Sequence, residues 1–246
     1  MGDKNMTYWG DRYAKDFLAN YDLYDTLAEF NSATYAGISV YALTLWARYG
    51  PPGSVVAAHG AHVLQGVWAS LGALYNPTLR NLGGPWDRSY GFDMLRYFSV
   101  IGAHVAGLVG PAAAPLPAFT PDARHISDAA VVPLLALISP THDALVPAAV
   151  VRELGALERA HAWAGNAYSP PFDYAPLRGH MRNYTAWRED GLSVGAVQIN
   201  EAKVGGPAIN TNAFNPAVVR WRATEDVVGW LSVRPSPLLH LLLFSS

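Results

Sequence analysis

Aromatic and aliphatic residues recur at helical spacing from the start of the chain. Between Tyr8 and Phe30, Tyr13, Phe17, Tyr24 and Leu27 alternate with acids, which predicts an amphipathic helix interrupted near Asn20. Asn31, Ser32 and Thr34 then offer side chains of the type that caps a helix. An apolar run follows to Trp46 and is stopped by Tyr49-Gly50-Pro51-Pro52. Ser54 to Tyr75 is the longest apolar stretch, and the short link before it predicts an antiparallel helical hairpin. A further helix is expected from Asp93, as its own cap, to about Val109, and another from Pro147 to about Trp163. Residues 110–147, rich in Pro and Ala, read as loops with one or two short helices.

The period then changes. Tyr184 to Arg188, Leu192 to Asn200, Ala217 to Trp221 and Val227 to Val233 are short β-branched or aromatic runs separated by Asp-Gly, Gly-Gly-Pro and Asn-Pro signals, and they predict antiparallel strands. Helices followed by strands make an α+β order. The expected division is a helical domain over 1–170 and a β-rich segment, a partial sandwich, over 178–246. Leu238 to Ser246 turns abruptly apolar and reads as a last strand or as a terminus of non-native origin.

Composition narrows the function classes. Charged residues are only 15% of 246 and the net charge is −2, so nucleic acid has no basic surface to meet. So low a charge also leaves much of the surface neutral or covered by a partner. There is no cysteine, which removes disulfides, thiolate metal sites and a Cys nucleophile. The first fifteen residues contain no apolar core of signal-peptide length, so a cytoplasmic protein is expected, or a secreted one if the N-terminus is truncated. Ser54 to Tyr75 carries His59, His62 and Gln65 and reads as a buried helix rather than a membrane span.

Polar groups concentrate at Asn31 to Tyr35, in the Gly83 to Asp93 loop, and at His180 to Trp187. In the first, Asn31 or Ser32 caps a helix, or Asn31 and Tyr35 project from its mouth into a cleft. In the loop, Trp86, Arg88, Tyr90 and Asp93 supply a stacking plane, a carboxylate-matching fork, a phenol and an acid, while Asp87 and Arg88 have each other as the ordinary structural alternative. The histidines show no metal-ligand spacing: His59 and His62 share a face without a completing carboxylate pair, and His104 sits on an apolar helix. No metal and no cofactor is therefore expected.

Tyr8-Trp9-Gly10-Asp11, Glu29 to Tyr35 and Gly84 to Asp93, followed by a β-rich tail, resemble the (α/α)-toroid proteins, particularly the heparinase II/III-like polysaccharide lyases. The resemblance implies a cleft in a helical toroid that holds an acidic oligo- or polysaccharide and cleaves it by β-elimination. By the same resemblance, Asn31 and Arg88 neutralise a uronate carboxylate, Tyr90 and His180 move protons, and Tyr35, Trp86, Asp87, Asp93 and Trp9 bind the sugar. The family's Asn-His pairing is absent, since Ser32 follows Asn31, and only three or four hairpins are recognisable, as in a truncated relative. Toroids also serve glycoside hydrolases, for which Glu29 with Asp87 or Asp93 offers the carboxylate pair, and dehydratase-isomerases. The non-enzymatic alternative is a sugar- or partner-binding shell in which Trp9, Trp46, Trp86 and Trp187 only stack or pack, with self-association over uncovered apolar faces.

Overall fold

The computed structural model describes residues 3–27, 30–33, 35–89, 94, 98–115, 123–167, 182–198 and 214–233. The Asp3 carboxylate accepts from the Asn5 and Met6 amides and starts α1 (Lys4–Tyr24), which runs unbroken through Asn20 and ends where Asp25 turns left-handed. Ser32 Oγ accepts from the Tyr35 amide at 3.2 Å and opens α2 (Tyr35–Tyr49). Ser54 does the same for α3 (Val55–Leu74). Two short strands, β1 (Tyr75–Asn76) and β2 (Asn81–Leu82), pair antiparallel before α4 (Val100–Val109), which is capped by Ser99. The expected cap, Asp93, lies outside the described residues.

A 3-10 turn (Ile126–Val131) leads into α5 (Val132–Leu145), a full helix within the stretch that its prolines made read as loop. Pro133 sits in the first turn, where a missing N–H costs nothing. Leu135, Ile138 and His142 keep the helical spacing on the buried side. α6 (Ala148–Gly155) stops well short of Trp163, because the chain enters the sheet at His161. The sheet is an antiparallel meander: β3 (His161–Ala167), β4 (Arg182–Glu189), β5 (Leu192–Val197), β6 (Ala217–Arg222) and β7 (Val228–Val233) lie in chain order.

The toroid is not there. A toroid needs hairpins arranged around an open centre, whereas α3 occupies the centre of the helical part. Val63, Leu64 and Trp68 are wholly buried, and α3 packs against α1, α2, α5, α6 and β3. The elements packed on it leave only one stripe, through His59, His62 and Gln65, facing solvent, and this packing fills the space a cleft would use. The result is a small α+β protein.

Helices and sheet share one apolar core, to which Tyr184 and Val197 contribute from the sheet, and they are joined by buried polar groups as well. Arg182, Arg188 and Arg220 all point from the sheet's inner face into the junction and are buried there. Arg188 donates through Nη1 to the Gly72 and Tyr75 carbonyls at the end of α3, and its Nη2 lies 3.3 Å from Glu153 Oε2. Asn76 Nδ2 donates to the Glu189 and Leu192 carbonyls, each at 3.0 Å, tying β1 to the sheet. The outer face is different. Ala162, Trp187, Val194, Val219 and Leu231 stand opposite one another across all five strands, and Ala164, Thr185, Ala196, Ala217 and Val233 form the next row.

Candidate functional site

Asn31 turns left-handed, with φ 49°, just ahead of the Ser32 cap. Its Nδ2 donates to the Gly83 carbonyl at 2.8 Å and the Pro85 carbonyl at 2.6 Å, so the amide is oriented without ambiguity and Oδ1 faces the other way. That oxygen is buried and accepts from none of the described residues.

The loop that Asn31 grips is pressed onto the sheet. Trp86 pairs with Asn215 through both backbone hydrogen bonds, Trp86 Nε1 donates to Gly83 O at 3.2 Å, and the Arg220 guanidinium lies 5.4 Å from the indole centroid. Arg182 Nη2 donates to Asp87 Oδ1 at 3.0 Å, with both side chains buried. A Cβ added at Gly195 would stand 1.8 Å from the Gly84 carbonyl oxygen, so the loop's backbone crosses the sheet where β5 has no side chain. Residues 83–87 are thus a clasp between helices and sheet.

This changes the roles expected of several residues. Asn31 spends both amide hydrogens on carbonyls and retains only an acceptor, which cannot neutralise a uronate carboxylate. Trp86 and Asp87 are buried in the clasp, not presented to a substrate, and Asp87 pairs with Arg182 rather than with its neighbour Arg88. Arg88 is half-buried at the clasp's end. Trp9 is exposed near the start of α1, packed on Tyr8 and Tyr13, about 18 Å along the helix from Tyr21. Tyr90, Asp93, His180 and Glu29 lie outside the described residues.

Asn31 and Tyr35 do share a groove, of about 440 Å³ and open to solvent, between the end of α1, the start of α2 and the middle of α3. Leu27, Phe30, Val67 and Leu71 give it apolar walls; Thr26, Ser39 and Ser70 add hydroxyls, Tyr21 and Tyr35 phenols, and Asp25 a carboxylate. No Lys, Arg or His lines it among the described residues.

Its floor is fixed from the sheet. Tyr184 is stacked on Phe30 at 4.9 Å, its Oη accepts from Trp163 Nε1 at 3.0 Å, and it lies 3.4 Å from Ser70 Oγ. Burial pushes the Tyr184 phenol up. Burial, with Asp25 and Asp22 adding to it, pushes Tyr21 up to about 12. Both phenols therefore hold their protons at neutral pH and act as hydrogen-bond groups, not as bases. Tyr21 reaches this place because Gly66 has no side chain: a Cβ there would stand 2.0 Å from its Oη.

A second polar cluster lies in the core. Trp68 Nε1 donates to His142 Nε2 at 3.0 Å, so the proton of His142 is on Nδ1, 2.7 Å from Asp143 Oδ1. The order resembles an acid–histidine dyad, but an indole occupies the nitrogen that would face a nucleophile. His104 stacks 4.7 Å away. Burial first, and the His142 ring second, lower its pKa from 6.5 to about 3. Burial also lowers His142, with Asp143 opposing.

As pH falls below 6.5 the unfolded chain takes up a proton that folded His104 refuses. Stability should therefore fall through the window from 6.5 to about 3, by up to about 1.4 kcal/mol per pH unit. Urea unfolding near neutral pH and about two units lower should show a pH slope shallower by one proton in His104→Phe than in the wild type. Equal slopes would contradict this.

Among the described residues no group of His, Cys, Asp and Glu could hold a metal ion, and no single helix is long and apolar enough to cross a membrane. Two family models match the chain: a domain of unknown function, DUF8769, over residues 1–140, and another, DUF8770, over residues 159–238. No curated protein and no solved structure matches it.

Proposed function

We propose, for a chain that belongs to the DUF8769 family, that it is a binding protein whose open α1–α2–α3 groove takes a small, neutral, hydroxyl-rich ligand such as a sugar. The observation that carries this reading is the groove's lining, in which Asn31, whose Oδ1 accepts from none of the described residues, stands beside a carboxylate and several hydroxyls. Apolar and aromatic walls suit the C–H faces of a sugar ring, and Asp25 with Asn31 accepts from its hydroxyls.

Among the described residues the same groove gives an acidic sugar no cation to pair with, and it sets Asp25 against its charge. This is why the ligand is read as neutral, and why binding is preferred to β-elimination. The Tyr21 and Tyr184 phenols are held in the protonated form, so neither of these two serves as the base that elimination needs.

Thermal unfolding of the full chain with a panel of neutral monosaccharides and their uronic acids tests the reading. Neutral sugars are expected to raise Tm and uronates to leave it unchanged. Ser39→Phe, which fills the groove from a half-buried position on α2, should abolish the shift and keep the unliganded Tm. A Tm raised equally by uronates, or a shift that survives Ser39→Phe, would overturn it.

A further inference from the structure

An antiparallel sheet with one face on a core usually turns polar residues to water on the other, and this one does not. Across its outer face the row through Trp187, Val194, Val219 and Leu231 is apolar from edge to edge, and these four residues are 40%, 36%, partly and 55% exposed. One row further along, Trp221 lies over Gly229, itself 39% exposed. Glu189, which accepts from Trp187 Nε1 at 3.3 Å, is the one charged side chain among the outward-facing positions of the described strands.

We infer that the outer face of the β3–β7 sheet is a self-association surface, on which a second copy of this chain packs sheet to sheet. Five strands about 4.8 Å apart and six residues long, at about 3.3 Å each, span roughly 24 by 20 Å. Two copies would cover about 1,000 Å² of plane before the relief of the side chains is counted, which reaches the size of a specific interface.

The face also complements itself. A two-fold axis running along β5, midway between two facing sheets, sets β4 of each copy over β6 of the other. Trp187 then meets Val219, a large side chain against a smaller one, Val194 meets its own copy on the axis, and Glu189 faces Trp221 instead of a second acid. A polar or charged partner would find few matching groups on this face, which are Glu189, Thr185 and the Asn166–Asn183 pair towards its ends, whereas a copy of the same face matches its apolar rows.

Sedimentation equilibrium on the full chain is expected to show a dimer. Val194→Arg, which opposes two guanidinium groups on the axis, should give a monomer with unchanged circular dichroism and an unfolding midpoint that no longer rises with protein concentration. Leu137→Arg, at a more exposed apolar position on α5, should remain a dimer.

Because the chain has no cysteine, Val194→Cys carries a single thiol. A short bis-maleimide should join it into a covalent dimer, and should not do so for Leu137→Cys; this arm holds even if the arginine variant fails to fold. A wild type that stays monomeric with Trp187 open to a quencher, a monomer whose Trp187 is shielded by the rest of its own chain, or a dimer that survives Val194→Arg would each overturn the inference.

Discussion

Asp87→Ala is expected to lower folding stability by about 3–5 kcal/mol, the cost of breaking a buried ion pair from one side. Asp87 and Arg182 are both buried, and the 3.0 Å hydrogen bond between them crosses from the clasp loop to β4. Without the carboxylate, the buried Arg182 loses the acceptor 3.0 Å from its Nη2, while the Phe214 ring stays 5.1 Å away. The pair need not add net stability relative to an apolar substitute; the effect comes from removing one half of a buried pair. Asp87→Asn keeps an acceptor and should recover part of the loss. Urea unfolding followed by circular dichroism measures both, and a loss under about 1 kcal/mol for Asp87→Ala would mean that the loop is held mainly by its backbone pairing and by Asn31.

Gly195→Ala should cost at least about 3 kcal/mol, at the upper end of what overpacking causes, because the added methyl meets backbone and not a side chain that can swing aside. At 1.8 Å from the Gly84 carbonyl oxygen, it forces either the clasp or β5 to move. The consequence reaches the groove, since the displaced loop carries the two carbonyls that orient Asn31. Gly195→Ala is therefore expected to weaken ligand binding as well as stability. Gly107→Ala is the contrasting case: it lies inside α4 with open space around its Cβ position, and replacing it should stabilise by about 0.5–1 kcal/mol through helix propensity alone. Opposite signs for these two substitutions in one unfolding experiment would separate packing from propensity.

The helices that begin with a strong cap and end at Gly or Pro were legible in the sequence, because those signals are local. Ser54 opens α3 as expected, and the link through Pro51 and Pro52 does produce the α2–α3 hairpin. Four of the five strands of the large sheet were placed within a few residues by their alternation. β3 was not, because His161-Ala-Trp-Ala-Gly-Asn-Ala alternates large with small rather than apolar with polar, and small residues read as helix continuing. α5 was not legible because its stretch is rich in proline: Pro133 falls harmlessly in the first turn, but Pro140 lies inside the helix, which forms despite the backbone hydrogen bond that it removes.

The site was legible only in outline. Asn31 and the Gly83–Pro85 loop do meet across more than fifty residues, yet the meeting is a structural grip, a distinction that depends on which amide atoms face the loop carbonyls. The groove's other walls, from Tyr21 on α1 and Ser70 on α3, converge through tertiary packing that no local motif announces. Tyr184 and Gly66 carry the only sequence trace: a tyrosine at an inward strand position, and a glycine inside an otherwise strong helix. The buried arginines of the sheet had none, since an alternating Arg in a strand reads as the solvent face.

Saturation-transfer NMR on the full chain, with neutral monosaccharides and the corresponding uronates in one equimolar mixture, sets the groove's chemistry directly against the alternative. The expected result is transfer to the neutral sugars alone, lost in Ser39→Phe and unchanged in Arg88→Ala. Transfer to the uronates that disappears in Arg88→Ala and persists in Ser39→Phe would place the ligand at the clasp loop and contradict the groove as the binding site.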